Sequence, residues 1–303
     1  MIPLPASPSS PWWHREFADC LGQAPVSLAA AAFALSAHGS RLARQSDDLI
    51  AMIAALHDLA AGISTIEEWR QRIFVDAGFT GNGADYHDVR NSFLPDVLSR
   101  RLGLPITLAL VGHLVADIAG LVSWGIGMPG HFLLGIAPAG STRGEWRTPV
   151  ELASDPSRPP PMTPMTPMTP INGARIVDAF NGGRFMSERD VGELFVSMFG
   201  RQHQFHRSML DATSAPEVLI RMLNNLKSNY ARSRNLSGLC AVSRLRTSID
   251  GFSIDEGREL IRLLTATGSL DEAVLALDEL VMRFPEHDEV LEAERVRLAA
   301  SLN

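Results

Sequence analysis

The residues best suited to chemistry in this sequence are a histidine and an aspartate, each next to a short apolar stretch. His131 stands between Gly130 and FLLGI, and Asp178 ends RIVD shortly before the turn-like sequence NGG. If the two stretches form neighbouring strands, the carboxylate bonds the imidazole and fixes which ring nitrogen carries the proton. A histidine held in this way can act as a general base.

A third catalytic group is expected at the start of a helix, because a helix N-terminus lowers the pKa of a thiol. The apolar segment 106–119 predicts a buried helix before the histidine, and Pro105 suits its first turn. At that start the chain has Pro105, Ile106 and Thr107, and no cysteine. Thr107 is therefore the candidate nucleophile, although by default its hydroxyl caps the backbone of the first turn.

Each candidate also has a purely structural interpretation. His131 can be a core histidine bonded to a carbonyl oxygen, and Asp178 can cap the turn that follows it. The order of the three segments along the chain, and not any single residue, favours a site. Five further residues near these segments are predicted to line a pocket: Asn91, Arg101, Pro105, Gly130 and Asn181.

Composition narrows the possible functions. The content of hydrophobic residues, 46%, and of charged residues, 20%, is typical of a globular protein with a sizeable core. A net charge of −7 argues against a nucleic-acid-binding protein, which usually has a basic face. Two cysteines are too few for a disulfide framework, and no Cys/His spacing suits a metal. We therefore predict no metal site and no cofactor.

The sequence also argues against a membrane protein. The N-terminus lacks a basic start followed by an apolar run, so it does not resemble a signal peptide. The most apolar stretch, 102–128, is interrupted by Pro105, His113 and Asp117 and cannot supply the ~18 uninterrupted apolar residues of a membrane span. A reduced, cytoplasmic location fits these features best.

Apolar spacing predicts the elements that position the site. Helices are predicted at 28–37, 48–61, 66–77, 93–101 and 106–119, and strands at 121–125, 132–136 and 175–178. Gly103 is expected to end the helix at 93–101. The segment 156–170 repeats a Met-Thr-Pro unit that suits neither helix nor strand, so a flexible surface loop is predicted there.

Only helices are predicted after Ser187. The segment 253–292 predicts two helices separated by Gly268, with apolar residues at tetratricopeptide-like offsets, and 222–245 has a looser version of the pattern. The repeat period is close to the roughly 34 residues of such helix pairs. The predicted domains are an N-terminal segment at 1–45, a core at 46–200 and a helical region at 201–303.

Four runs of residues together resemble the bacterial SirB-type family: GFTGN, DYHDVRNSFLPDVLSRRLGLPITLAL, GMPGHFLLGI and DAFNGGRFMS. Members of that family join a transglutaminase-like domain to tetratricopeptide repeats and are often labelled regulators of sirC expression. The same domain also appears in a eukaryotic F-box protein. The resemblance covers roughly residues 48–303. The chain departs from it in having DAFN where DPFN is usual, and in the Met-Thr-Pro insertion.

The resemblance implies an α+β fold, with a papain-like or transglutaminase-like core followed by all-α helical hairpins. It implies that His131 takes the general-base position and Asp178 the orienting position. The cysteine of active relatives would fall near residues 105–107, where the family has a small hydroxyl or apolar residue.

Two functions remain open from the sequence. The first is a non-catalytic or weakly catalytic regulator that binds a protein or peptide partner through its C-terminal helical repeats. The second is a hydrolase or acyl-transfer enzyme in which His131 and Asp178 activate water or Thr107, with Arg101 or Asn181 near the substrate. A thiol supplied by Cys20 is a minor variant of the second, since its surroundings suggest no helix N-terminus.

Overall fold

The computed structural model describes residues 10–141 and 173–302. The predicted Met-Thr-Pro loop at 156–170 lies outside these residues. The chain forms two compact units. The first unit comprises Met1–Leu49, His87–Pro95 and Leu219–Asn303, and the second comprises Ile50–Tyr86 and Asp96–Val218. The predicted domain limits at residues 45 and 200 stay a prediction, because compactness alone does not define a domain.

The described residues contain twelve α-helices and seven strands. The helices are α1 Trp12–Leu21, α2 Leu28–Ser36, α3 Asp48–Ala60, α4 Ile66–Arg70, α5 Leu94–Arg100, α6 Pro105–Ile118, α7 Glu188–Phe199, α8 Ala215–Arg232, α9 Leu236–Thr247, α10 Ile254–Ala266, α11 Leu270–Arg283 and α12 Asp288–Leu302. The strands are β1 Thr80–Gly81, β2 Leu102–Gly103, β3 Val122–Ile126, β4 Leu133–Ala137, β5 Arg175–Asp178, β6 Arg184–Met186 and β7 Ala212–Thr213. None of these helices is long and apolar enough to cross a membrane.

The second unit is built on an antiparallel sheet of strand order β6-β5-β4-β3-β7, with α6 packed against β3 and β4. The helix is apolar on nearly every side, so it lies buried as predicted. Gly112 allows this close approach, because a Cβ there would lie 2.9 Å from Trp69 and 3.0 Å from Leu134. Trp69 Nε1 also donates to the Gly112 carbonyl at 3.0 Å. The predicted α+β fold is confirmed.

A turn with two glycines joins β5 to β6. Both Gly182 and Gly183 have a left-handed backbone, with φ of 66° and 69°. A Cβ at Gly183 would lie 2.2 Å from the ring of Phe74, and its carbonyl accepts a bond from Arg70 Nε at 2.8 Å. The NGG sequence therefore fixes how the chain leaves Asp178.

Three local predictions in this unit are wrong. Helix α5 ends at Arg100 because Arg101 has φ of 61°, and Gly103 belongs to β2, which pairs in parallel with β1. The segment predicted as one helix at 66–77 changes after Arg70 into a π-helix, Gln71–Asp76. Strands also continue after Ser187, since β7 pairs with β3.

The first unit is helical. Its α1 packs against α2 and α9, although no helix was predicted at 12–21. The two helices predicted around Gly268 are present as α10 and α11, and they pack against each other. Ser253 begins α10 with a capping box shared with Glu256, and Gly268 has φ of 77° between the two helices.

Candidate functional site

The structure brings the predicted histidine and aspartate into contact. His131 Nε2 lies 3.1 Å from Asp178 Oδ1. The His131 backbone N–H donates to the Met128 carbonyl in a turn just before β4, and Asp178 is the last residue of β5. These strands are neighbours, with Leu134 opposite Val177. The contact is the one expected from neighbouring strands, whereas a catalytic role for the pair stays a prediction.

Asp178 is buried, and hydrogen-bond donors surround it. Its Oδ1 accepts bonds from the backbone N–H groups of Phe180 at 3.1 Å and Asn181 at 3.2 Å. Its Oδ2 accepts from Asn181 Nδ2 at 2.7 Å. Burial alone would raise the pKa of Asp178, but the bonds from His131 and Asn181 outweigh it and hold this pKa below its usual value. The carboxylate therefore stays charged near neutral pH.

The charged carboxylate determines the tautomer of the neutral histidine. Because Asp178 can only accept a bond, His131 Nε2 carries the proton and Nδ1 is the basic nitrogen. An imidazole oriented by a carboxylate in this way is the arrangement of a general base. The turn sequence AFNGG supports it by supplying the three other donors to Asp178.

Thr107 is committed to the start of α6. Its hydroxyl accepts a bond from the Leu104 N–H at 3.0 Å and lies 3.2 Å from the Leu104 carbonyl oxygen, to which it donates. The side chain is fully buried, and a Cβ on Gly103 would lie 2.8 Å from its Oγ1. This arrangement is the capping interpretation of Thr107. Its nucleophilic role stays a prediction.

The other candidates lie in different surroundings. Asn181 is exposed but bonds Asp178, and Gly130 precedes His131 with φ of 71°. Pro105 is buried in the first turn of α6, and Arg101 is exposed next to β2 with its carbonyl bonded to the Thr80 N–H. Asn91 is buried in a 3₁₀-helix of the first unit, Val89–Ser92. The structure thus gathers His131, Asp178 and Asn181.

The sequence reasoning missed an aromatic residue next to the histidine and a second one that packs against the first. The Phe180 ring stands edge-on to His131 with centroids 6.4 Å apart, and Tyr86 stands edge-on to Phe180 at 6.0 Å. The Phe180 carbonyl accepts a bond from the Gly81 N–H at 2.9 Å, and a Cβ at Gly81 would lie 2.5 Å from the ring. The glycines of GFTGN were the available signal, since close backbone approach requires Gly.

The cysteines of the chain, Cys20 and Cys240, both belong to the first unit and are buried. Burial raises the pKa of Cys20 to about 11, and the nearby Glu16 and Asp19 act in the same direction. In the described part of the chain, no group of three or more His, Cys, Asp or Glu residues is placed to hold a metal ion.

We expect neither thiol to react appreciably with iodoacetamide in the folded protein at pH 8. With its pKa near 11, Cys20 has roughly one thiolate in a thousand at that pH, and burial shields both thiols, since Cys20 is 2% and Cys240 6% exposed. Mass spectrometry before and after unfolding in urea checks this, with both cysteines labelled only after unfolding. Rapid labelling of Cys20 in the folded state would show that its thiol is activated.

Comparison with known proteins identifies the domain that carries the His131–Asp178 pair. The sequence-family model of the transglutaminase-like superfamily matches residues 40–224. The chain belongs to this superfamily. The matched region spans β1 to β7 and therefore includes α6, the histidine and the aspartate.

The superfamily assignment is accompanied by distant relatives. A UPF0162 protein of Xylella fastidiosa is 31% identical over 164 residues, which cover 53% of this chain and 47% of that protein. A UPF0162 protein of Pseudomonas aeruginosa is 26% identical over 215 residues, 69% of this chain and 67% of that protein. Mouse F-box only protein 21 is 39% identical over 56 residues, 18% of this chain and 9% of that protein. The chain thus spans about half the length of the Xylella relative. No solved structure matches the chain significantly.

Proposed function

We propose that this chain is a non-catalytic or weakly catalytic transglutaminase-like protein that acts as a regulatory adaptor. The observation that carries the proposal is the start of α6, where a nucleophilic cysteine would be expected. Pro105, Ile106 and Thr107 occupy that start and are buried, and the Thr107 hydroxyl is bonded to Leu104.

The missing thiol has a large expected effect on catalysis. A triad without its nucleophile keeps only about 10³–10⁴-fold of the rate enhancement, which comes from substrate binding and oxyanion stabilisation. A threonine hydroxyl is protonated near pH 7 and needs an adjacent base or amine to attack a substrate. Thr107 would also have to give up its bonds to Leu104.

The adaptor part of the proposal is supported by the helical hairpins of the first unit. Helices α8 to α12 follow one another with short connections, and α9 packs against α10, α10 against α11 and α11 against α12. Stacked helix pairs offer extended surfaces for helices or peptides. We propose that they are tetratricopeptide-like, that the protein is of the SirB type and cytoplasmic, and that a protein or peptide binds these helices.

A second candidate function is hydrolysis by water that His131 activates. The specific support is the cost of keeping Asp178 buried: four hydrogen bonds hold a charged carboxylate in the position that orients the imidazole. A purely structural pocket does not require that pair.

Turnover of a fluorogenic peptide library, with and without an added primary amine, separates the two functions. We expect the wild type and His131→Ala to release product at the same background rate, because α6 offers no activated nucleophile. Circular dichroism confirms that the variant is folded.

The same assay identifies the chemistry if the expectation is wrong. Turnover lost in His131→Ala but kept in Thr107→Ala would indicate water as the nucleophile. Turnover lost in both variants, with the fold intact, would assign the attack to Thr107. Either result would remove the non-catalytic proposal.

A further inference from the structure

The helical unit contains an open cavity of about 70 Å³ that the transglutaminase-like site does not use. Residues of α1, α9, α10 and α11 line it, among them His14, Arg244, Leu260, Leu264, Leu275 and Glu279. The walls are largely apolar, and Leu275 at the opening is 53% exposed. The cavity is therefore both accessible and partly desolvated.

Among the charged residues that line the cavity, one carboxylate has no ion-pair partner in the described structure. Arg244 forms an ion pair with Glu272, so these two residues neutralise each other. Glu279 forms no hydrogen bond or ion pair within the described part of the chain, and burial raises its pKa despite the nearby Arg283. Glu279 is half-buried, so its carboxylate is partly removed from water without a hydrogen bond or ion pair from the described residues to compensate it.

The second unsatisfied group is His14, which is only 9% exposed. Ser248 Oγ donates to the Arg244 carbonyl at 3.1 Å, so it accepts the proton of His14 Nε2 at 2.9 Å. The buried Nδ1 then has a lone pair, with no hydrogen-bond partner in the described residues. Glu279 is an acceptor only, so an occupant that bonds it must bring a donor.

We propose that this cavity binds a basic side chain, arginine or lysine, of a short extended peptide segment in a protein partner. The inference rests on the proposed adaptor function and names the chemistry of the partner. A cation supplies both a direct ion-pair partner for Glu279, closer than the nearby Arg283, and several N–H donors.

Apolar residues on either side of the basic one complete the fit. Leu275, Glu279 and Met282 follow one another at helical spacing on α11, and Leu275 and Met282 are 53% and 76% exposed. Their separation of seven residues spans about 10 Å along a helix, comparable with the ~13 Å between the first and fifth residues of an extended peptide, whose side chains share one face. Flanking apolar side chains of the segment would cover both residues.

The test uses the full chain and a fluorescein-labelled, end-capped peptide, Leu-Ala-Arg-Ala-Leu, with protein titrated to roughly 1 mM. We expect saturable binding that weakens about tenfold or more in Glu279→Gln and when citrulline replaces the arginine. The two changes together should weaken binding no more than one alone, since both remove the same charge pair. Asp278→Asn is the matched control, because this neighbour is exposed and lies outside the cavity.

The inference is overturned if the arginine peptide does not bind, if the citrulline peptide binds equally well, or if Glu279→Gln and Asp278→Asn behave alike. These outcomes do not depend on the peptide turnover of the wild type and His131→Ala. A failed titration without His131-dependent turnover would remove the cavity assignment and leave the non-catalytic proposal intact.

Discussion

Gly135→Ala is expected to lower the free energy of unfolding by about 3 kcal/mol, near the upper end of overpacking effects. Gly135 in β4 lies directly opposite Trp124 in β3. A Cβ there would lie 1.9 Å from Cε2 and 2.3 Å from Cζ2 of the indole. The rigid ring must move as a whole. Strand β4 also begins two residues after His131, so a shift of this strand would disturb the histidine. Urea unfolding followed by circular dichroism measures the loss.

A double-mutant cycle tests whether the indole is the cause. In a Trp124→Ala background, Gly135→Ala should cost little, because the space above the glycine is then empty. Gly83→Ala is the control, since a Cβ there meets nothing within 4 Å and the position has no left-handed backbone requirement. An equal cost in both backgrounds would contradict the packing explanation.

Elements whose signals are local were predictable from the sequence. The helix predicted at 48–61 is present as α3, the buried helix at 106–119 as α6, and the strand at 175–178 as β5. Their apolar spacing, caps and glycines act over a few residues, so the local sequence is sufficient to predict these elements. The same holds for Ser187, whose capping box with Asp190 begins α7.

Elements that depend on distant partners were not predictable. Strand β7 has two residues and exists because β3 has an edge to pair with. Arg101 takes a left-handed backbone that its residue type disfavours, and its carbonyl then bonds the Thr80 N–H where β1 meets β2. Helix α1 packs against the adjacent α2, but it also packs against α9, more than two hundred residues away along the chain.

The candidate site divides in the same way. The contact between His131 and Asp178 followed from strand order alone, because adjacent antiparallel strands align their ends. The place of Phe180 next to the histidine could not be derived, since it depends on Gly81 approaching from another part of the chain. Glycine motifs indicate where another part of the chain packs closely against the backbone, but they do not indicate which side chain packs there.

The second large expected effect is a loss of folding stability at acidic pH, caused by two histidines that are neutral in the folded protein. Burial lowers the pKa of His38 to about 4, and burial followed by the charge of Arg244 lowers the pKa of His14 to about 4. Unfolding returns each pKa to about 6.5, so the unfolded chain binds more protons below that pH. Their stabilisation is full above pH 6.5 and is lost as pH falls toward 4. At pH 5 the expected loss is on the order of 2 kcal/mol for each histidine.

Burial keeps His38 neutral, even though its hydrogen bond to Leu35 acts the other way and raises its pKa. Its Nδ1 lies 2.5 Å from the Leu35 carbonyl, so this nitrogen carries the proton, and Nε2 accepts from the Tyr230 hydroxyl at 2.8 Å. Burial raises the pKa of Tyr230 to about 12, so its hydroxyl stays a donor. A second proton on the ring would require the Tyr230 hydroxyl to turn from donor to acceptor, and it would place a charge in a desolvated site.

Urea unfolding at pH 7 and pH 5 should show this dependence, and His14→Gln and His38→Gln should each flatten it by about half even if they are less stable at pH 7. His57→Gln, at an exposed position of α3, controls for the loss of a histidine as such. Asp178 acts in the same direction, but only below its unfolded pKa near 4, because its folded pKa is lowered. A slope unchanged in both buried-histidine variants would mean that these rings do not stay neutral in the fold.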